Sequence, residues 1–153
     1  MSNLPPKSVS SERSPRGNFE NKRGVVGVIF REERLLIIRR ALTVTAPGKL
    51  CLPGGTVEEG EEEHETLVRE MQEELTIDVE PVRLCWRSVT PWGTRLAWWL
   101  ARLDHATTPI PFEEEVSEYF WMTPAELRGA KGVLPSLPAF ISAWERGEID
   151  LKH

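Results

Sequence analysis

Cysteine is scarce in this chain: its 153 residues include only Cys51 and Cys85, and no Cys-x-x-Cys pair. Two such residues cannot frame a disulfide scaffold. Both lie in apolar, strand-like segments, so they are expected to be reduced and structural in a cytoplasmic protein. Long apolar runs are missing as well. No segment approaches the roughly 20 residues of a membrane-spanning helix, so no membrane partner is expected. Residues 1–20 have no apolar core of the kind a secretory signal needs. They are rich in Ser, Pro and charge, and predict a disordered tail ahead of one domain over 21–153. Internal repeats are absent. So is a general excess of either charge: the net is −5, but nine of the 24 acidic residues fall between Glu58 and Glu74. The rest of the chain carries 15 acidic against 18 basic side chains. Acidity this local points to a cation partner and away from a nucleic-acid polymer.

What is present reads as alternating short strands and helices. Gly24–Phe30 and Leu35–Arg40 are apolar, β-branched runs separated by "REER", a predicted hairpin. "LCLPGG" predicts a short strand ending in a glycine turn, followed by a helix over 62–75. Val82–Val89, Arg95–Leu103 and Val116–Met122 are further strands. Thr123 and Glu126 form a capping box, with Pro124 at the first helical position, and "SLPAFISAWERGE" predicts a last helix. Hairpins rather than regular βα alternation give an α+β class, an α/β/α sandwich around a mixed sheet.

The acidic segment poses the chemical question. At about 100° per residue, Glu70, Glu73 and Glu74 share one face of its helix, and Val68, Met71 and Leu75 form a separate packing stripe that also takes His64. Three carboxylates then crowd the C-terminal half, the end where the helix dipole disfavours negative charge. A divalent cation relieves both penalties. Mg²⁺ takes octahedral oxygen coordination from carboxylates, water and substrate phosphates, and glutamates at i, i+3 and i+4 supply such a half-site. A charge run is more often a solvated face, the reading given to Glu58, Glu59, Glu62 and Glu63.

The spacing extends beyond the three glutamates. Gly55, Glu61, Arg69, Glu70, Met71, Glu73, Glu74 and Ile77 resemble the Nudix box, the signature of the Nudix hydrolase family. A chance match of its six polar or glycine positions is on the order of one in ten million per start point, so the resemblance is specific. Thr76 departs from it, standing where the family carries Gly just past the helix. A β-branched residue resists the left-handed region, so the helix is expected to end differently here.

The resemblance implies a metal-dependent enzyme that cleaves a diphosphate linkage in a nucleoside triphosphate or another nucleoside diphosphate derivative. It implies Mg²⁺, with Mn²⁺ as the alternative ion, held by Glu70, Glu73, Glu74 and the Gly54 carbonyl. Arg69 orients the glutamates, pairing with Glu65 or Glu73, and Glu61 fixes the loop before the helix. The general base is a box glutamate or one of Glu113, Glu114 and Glu115, with Glu115 favoured. Arg39, Arg40 and Lys49 are candidates for phosphate. Successive strand residues alternate faces, so one of the two arginines is expected at the site, and Arg39 is taken as that one. Among the six tryptophans, Trp86, Trp92 and Trp99 could stack on a base, Trp92 foremost; Trp98, Trp121 and Trp144 are expected in the core. The implied partner is a small nucleotide, and the implied assembly a homodimer. Three alternatives are a nucleotide sensor without turnover, an ADP-ribose-type pyrophosphatase (Pro91 lies slightly before the position where many such members carry a proline), and an acidic interaction protein.

Overall fold

A computed structural model describes residues 22–152; the tail expected over 1–20 lies outside the described residues. The element order is β1 (Arg23–Arg31), β2 (Arg34–Arg40), β3 (Leu50–Cys51), β4 (Gly54–Thr56), α1 (Glu63–Leu75), β5 (Glu80–Val89), β6 (Arg95–Arg102), β7 (Val116–Met122), α2 (Pro124–Arg128) and α3 (Ser136–Glu145). β1 lies parallel to β6 and antiparallel to β4, and β5 pairs with β6. β2 pairs with β3 and β7, and joins β1 only at the hairpin, through Phe30↔Leu35 and Arg31↔Arg34. The result is a mixed seven-stranded sheet.

Side-chain alternation explains the layers. Val25, Ile29, Leu36 and Ile38 face Leu67, Met71 and Leu75 of α1. Val28, Leu35, Ile37, Trp98 and Leu100 face Leu127 of α2 and Leu137, Phe140 and Ile141 of α3. Both faces of the sheet are covered, which is the α/β/α sandwich the sequence predicts. Among the described residues, no helix is long and apolar enough to cross a membrane. Both cysteines are free and lie in strands; burial pushes the Cys85 thiol up to about 11.

Several local expectations are corrected. The packing stripe of α1 is Leu67, Met71 and Leu75, while Val68 stands 36% exposed and His64 is exposed. Each buried apolar side chain of that stripe contributes about 1.5–3 kcal/mol. The expected glycine turn is a strand: Gly54 and Gly55 pair with Val26 and Val25. Thr76 does adopt the left-handed conformation, at φ 55° and ψ 43°, against the steric preference of a β-branched residue. Its amide donates to the Gln72 carbonyl, and the Ile77 amide donates to the Met71 carbonyl. These bonds terminate α1 in spite of a local cost of about 1–2 kcal/mol.

Candidate active site

α1 and β4 meet through their least ordinary residues. Glu70 is 1% exposed and Glu74 6% exposed, and both lie on the packed face beside Leu67 and Met71, not on a separate solvent face. Buried carboxylates need partners. The Arg69 guanidinium lies 2.9 Å from a Glu70 oxygen, and the Gly54 amide donates to Glu74 at 3.3 Å. The glycines of β4 exist for clearance. A Cβ on Gly55 would clash with the Glu70 carboxyl group, and one on Gly54 with the Val25 carbonyl oxygen.

Arg69 organises the acidic segment. It donates to Glu61 through Nε at 2.6 Å and Nη2 at 2.9 Å, and to the Thr56 carbonyl at 3.0 Å. Its Nη1 also lies 3.4 Å from Glu73. Glu65, the other expected partner, instead accepts from the Glu62 amide at the helix start. Glu61 further accepts from Thr66 Oγ1 and the Glu58 amide, so it does fix the loop before α1. The Arg69 bonds, with those from Thr66 and Glu58, hold the Glu61 carboxyl down to about 2 against the cost of burial. Its folded-state pKa is depressed, so the stabilisation is complete above pH about 4.5 and is lost as pH falls toward 2. Glu61→Gln is expected to cost about 1–2 kcal/mol at pH 7 after allowing for solvent screening. In urea unfolding, the gap to the parent should narrow steadily below pH 5.

Glu63 is not simply solvated. Burial raises its pKa, but bonds from Arg87 and Trp99 Nε1 and the charges of Arg87 and Arg23 outweigh that, and its carboxyl is held below the ordinary range.

Glu74 behaves oppositely. Burial first, then the charges of Glu70 and Glu115, push its carboxyl well above the usual range, and the Gly54 amide and Arg40 only partly offset them. Glu115 is thus close enough to act on Glu74; Glu113 and Glu114 are exposed. The segment carrying Glu115 is fastened to α1: the Phe112 amide donates to the Glu74 carbonyl and the Ile110 amide to the Leu75 carbonyl, each at 2.8 Å.

Glu74, Gly54 and Gly55 line one cavity of about 320 Å³, together with Arg40, Trp92, Thr94, Trp98 and Ser136. A larger cleft of about 1200 Å³ opens at the far end of β1, around Phe30, Asp104 and Trp144, away from the paired carboxylates. Arg40, not Arg39, reaches the smaller cavity. A register shift between the two sets Arg39 opposite Glu118 and Arg40 opposite Val116. Arg39 is held by Glu118 at 3.1 Å and by the Gly48 carbonyl. Arg40 is buried, and its Nε donates to the Thr45 carbonyl at 2.7 Å. Lys49 is exposed and absent from the cavity wall. Trp92 lines the cavity, whereas Trp86 packs on Trp98 and Phe140, and Trp99 donates to Glu63. Trp98 forms part of the wall, stacked on Phe140 at 4.6 Å and 7°. Thr94 and Ser136 carried no local sequence signal, since distant segments bring them to the wall.

The donor set fits a hard divalent cation: all oxygen, with two carboxylates taken out of water. Among the described residues, no three His, Cys, Asp or Glu side chains form a ready-made cage. The two buried carboxylates are a half-site of the kind Mg²⁺ completes with water and phosphate oxygens.

A glycine strand laid against two buried glutamates of α1, beside a cavity at the edge of the sheet, gives an α/β/α sandwich with an oxygen-donor site. The NUDIX domain model matches residues 20–141. The chain therefore belongs to the Nudix family, whose members hydrolyse the pyrophosphate bond of nucleoside diphosphate derivatives and generally use divalent metal ions. No protein of curated function matches it in sequence. Among solved structures, it is similar to a MutT protein from Methanosarcina mazei Go1, with TM-score 0.69 and 22% identity over 82% of this chain and 94% of that one. It is also similar to a NUDIX hydrolase from Nitrosomonas europaea, with TM-score 0.68 and 18% identity over 84% and 90% of the two chains. The E. coli ORF135 protein gives TM-score 0.65 and 22% identity over 87% and 94%. At these identities, the likeness speaks for the fold.

Proposed function

We propose that the protein is a Mg²⁺-dependent hydrolase that cleaves the diphosphate linkage of a nucleoside triphosphate or a related nucleoside diphosphate derivative. The observation that carries this reading is the buried Glu70–Glu74 pair packed against Gly54 and Gly55, with Glu74 and the two glycines at the cavity wall. Glu70, Glu73, Glu74 and the Gly54 carbonyl would hold the ion, with Mn²⁺ able to replace Mg²⁺. The chemistry such an ion would supply there is neutralisation of phosphate oxygens and activation of water. Glu115 takes the proton of the attacking water. Arg40 meets the phosphates, and Trp92 offers a face for the base. Thr94 supports a polar edge beside that base: its hydroxyl is buried and has no hydrogen-bond partner among the described residues.

The test is release of phosphate or pyrophosphate from a panel of nucleoside triphosphates, nucleotide sugars and ADP-ribose, with Mg²⁺ and with chelator. Turnover of one class that stops on chelation is expected. Tight binding with no turnover of any member would identify a sensor instead. On the preferred substrate, Trp92→Ala should raise KM about tenfold with kcat nearly unchanged, because stacking worth roughly 1–3 kcal/mol acts on ground and transition states alike.

A further inference from the structure

Thr76 has a second attachment besides its unusual backbone. Its Oγ1 donates to the Ile110 carbonyl at 3.1 Å. Together with the Ile110 and Phe112 amides on the Leu75 and Glu74 carbonyls, this makes three bonds between the end of α1 and the segment leading to Glu115. The opposite flank is held too, by the Ala41 amide on the Glu115 carbonyl and Thr43 Oγ1 on the Glu114 carbonyl. Glycine would take φ 55° without steric conflict, but it has no hydroxyl to offer. A strained residue persists where the surroundings over-determine it, and such residues cluster at working sites. Here the strain places a hydroxyl at the joint between the helix of buried carboxylates and the loop of the proposed base.

We infer that Thr76 is a positioning residue: through its bond to Ile110 it sets the distance of Glu115 from Glu74. This rests on the proposed hydrolase reading, in which Glu115 takes the proton from water. A misplaced catalytic group loses rate rather than ground-state binding. Thr76 lies outside the cavity wall but also caps α1 two residues after Glu74, so the Glu115→Gln background separates an effect through Glu115 from one through the helix.

The experiment measures kcat and KM on the best panel substrate for the parent, Thr76→Gly, Thr76→Ser, Glu115→Gln and the Thr76→Gly/Glu115→Gln double variant, with thermal unfolding and amide hydrogen exchange on each. Thr76→Gly is expected to keep or raise Tm, lower kcat about five- to twentyfold and leave KM within twofold. Exchange at Ile110 and Phe112 should quicken at least tenfold. Thr76→Ser keeps the hydroxyl and should stay within threefold of the parent in kcat. In the Glu115→Gln background, the glycine change should cost nothing further. Full kcat in Thr76→Gly, an equal loss in Thr76→Ser, or an undiminished loss in the double variant overturns the inference. A parent inert against the whole panel overturns the hydrolase reading itself, an outcome distinct from an active parent whose variants match it.

Discussion

Glu74→Gln should make the metal-free protein more stable and the enzyme nearly inactive. The two effects share one cause. Glu74 is buried beside Glu70 and within reach of Glu115, and its carboxyl is held well above the ordinary range. A group raised in the folded state contributes stability below its unfolded value of about 4.5 and loses it as pH rises. Native stability without metal should therefore decline from pH 5 upward in the parent. The isosteric amide removes that decline, and by pH 7–8 the variant should lead by about 1–2 kcal/mol in urea unfolding. Turnover should fall about 10³-fold, since loss of a ligand forfeits several kcal/mol of transition-state stabilisation. Saturating Mg²⁺ should stabilise the parent and not the variant. A variant less stable than the parent at every pH would mean that Glu74 has a structural role only.

Gly55→Ala carries the second large effect. The added methyl would clash with the Glu70 carboxyl group. Glu70 cannot swing away freely, because it is almost fully buried and bonded to Arg69. Either the carboxylate shifts or β4 separates from β1. Overpacking of this kind costs typically 1–3 kcal/mol, and displacing a reacting group by about 1 Å costs around a hundredfold in rate. The expected result is a folded protein with Tm lowered by several degrees and kcat/KM reduced about 10²-fold. Parent-like activity would show that the contact between Gly55 and Glu70 does not set the position of that carboxylate.

The sequence made some features legible and hid others for identifiable reasons. The Val116–Met122 strand and the Thr123–Glu126 capping box agree with expectation because local chemistry decides them. The Glu70, Glu73, Glu74 spacing singled out α1, the helix whose Glu70 and Glu74 are buried. It did not reveal that Glu70 and Glu74 lie on the packed face, because periodicity assigns charge to solvent unless a cation or arginine offsets it. The same assumption exchanged Val68 for Leu67 in the stripe. Arg39 was taken ahead of Arg40 because nothing local marks the register shift opposite Ser117. Thr76 was misjudged because propensity weighs the backbone alone, whereas the Ile110 carbonyl it reaches is 34 residues away. Thr94 and Ser136 meet at the cavity wall although they lie far apart in the chain.

Cation binding itself is the most direct measurement of the central claim. Mn²⁺ titrated into the nucleotide-free protein, with free ion read by electron paramagnetic resonance, should show saturable binding in the parent and displacement by excess Mg²⁺. The Glu70→Gln/Glu74→Gln variant, folded by circular dichroism, should bind at least 30-fold more weakly. Equal Mn²⁺ affinity in the two proteins would contradict the account and remove the buried glutamate pair as the metal site.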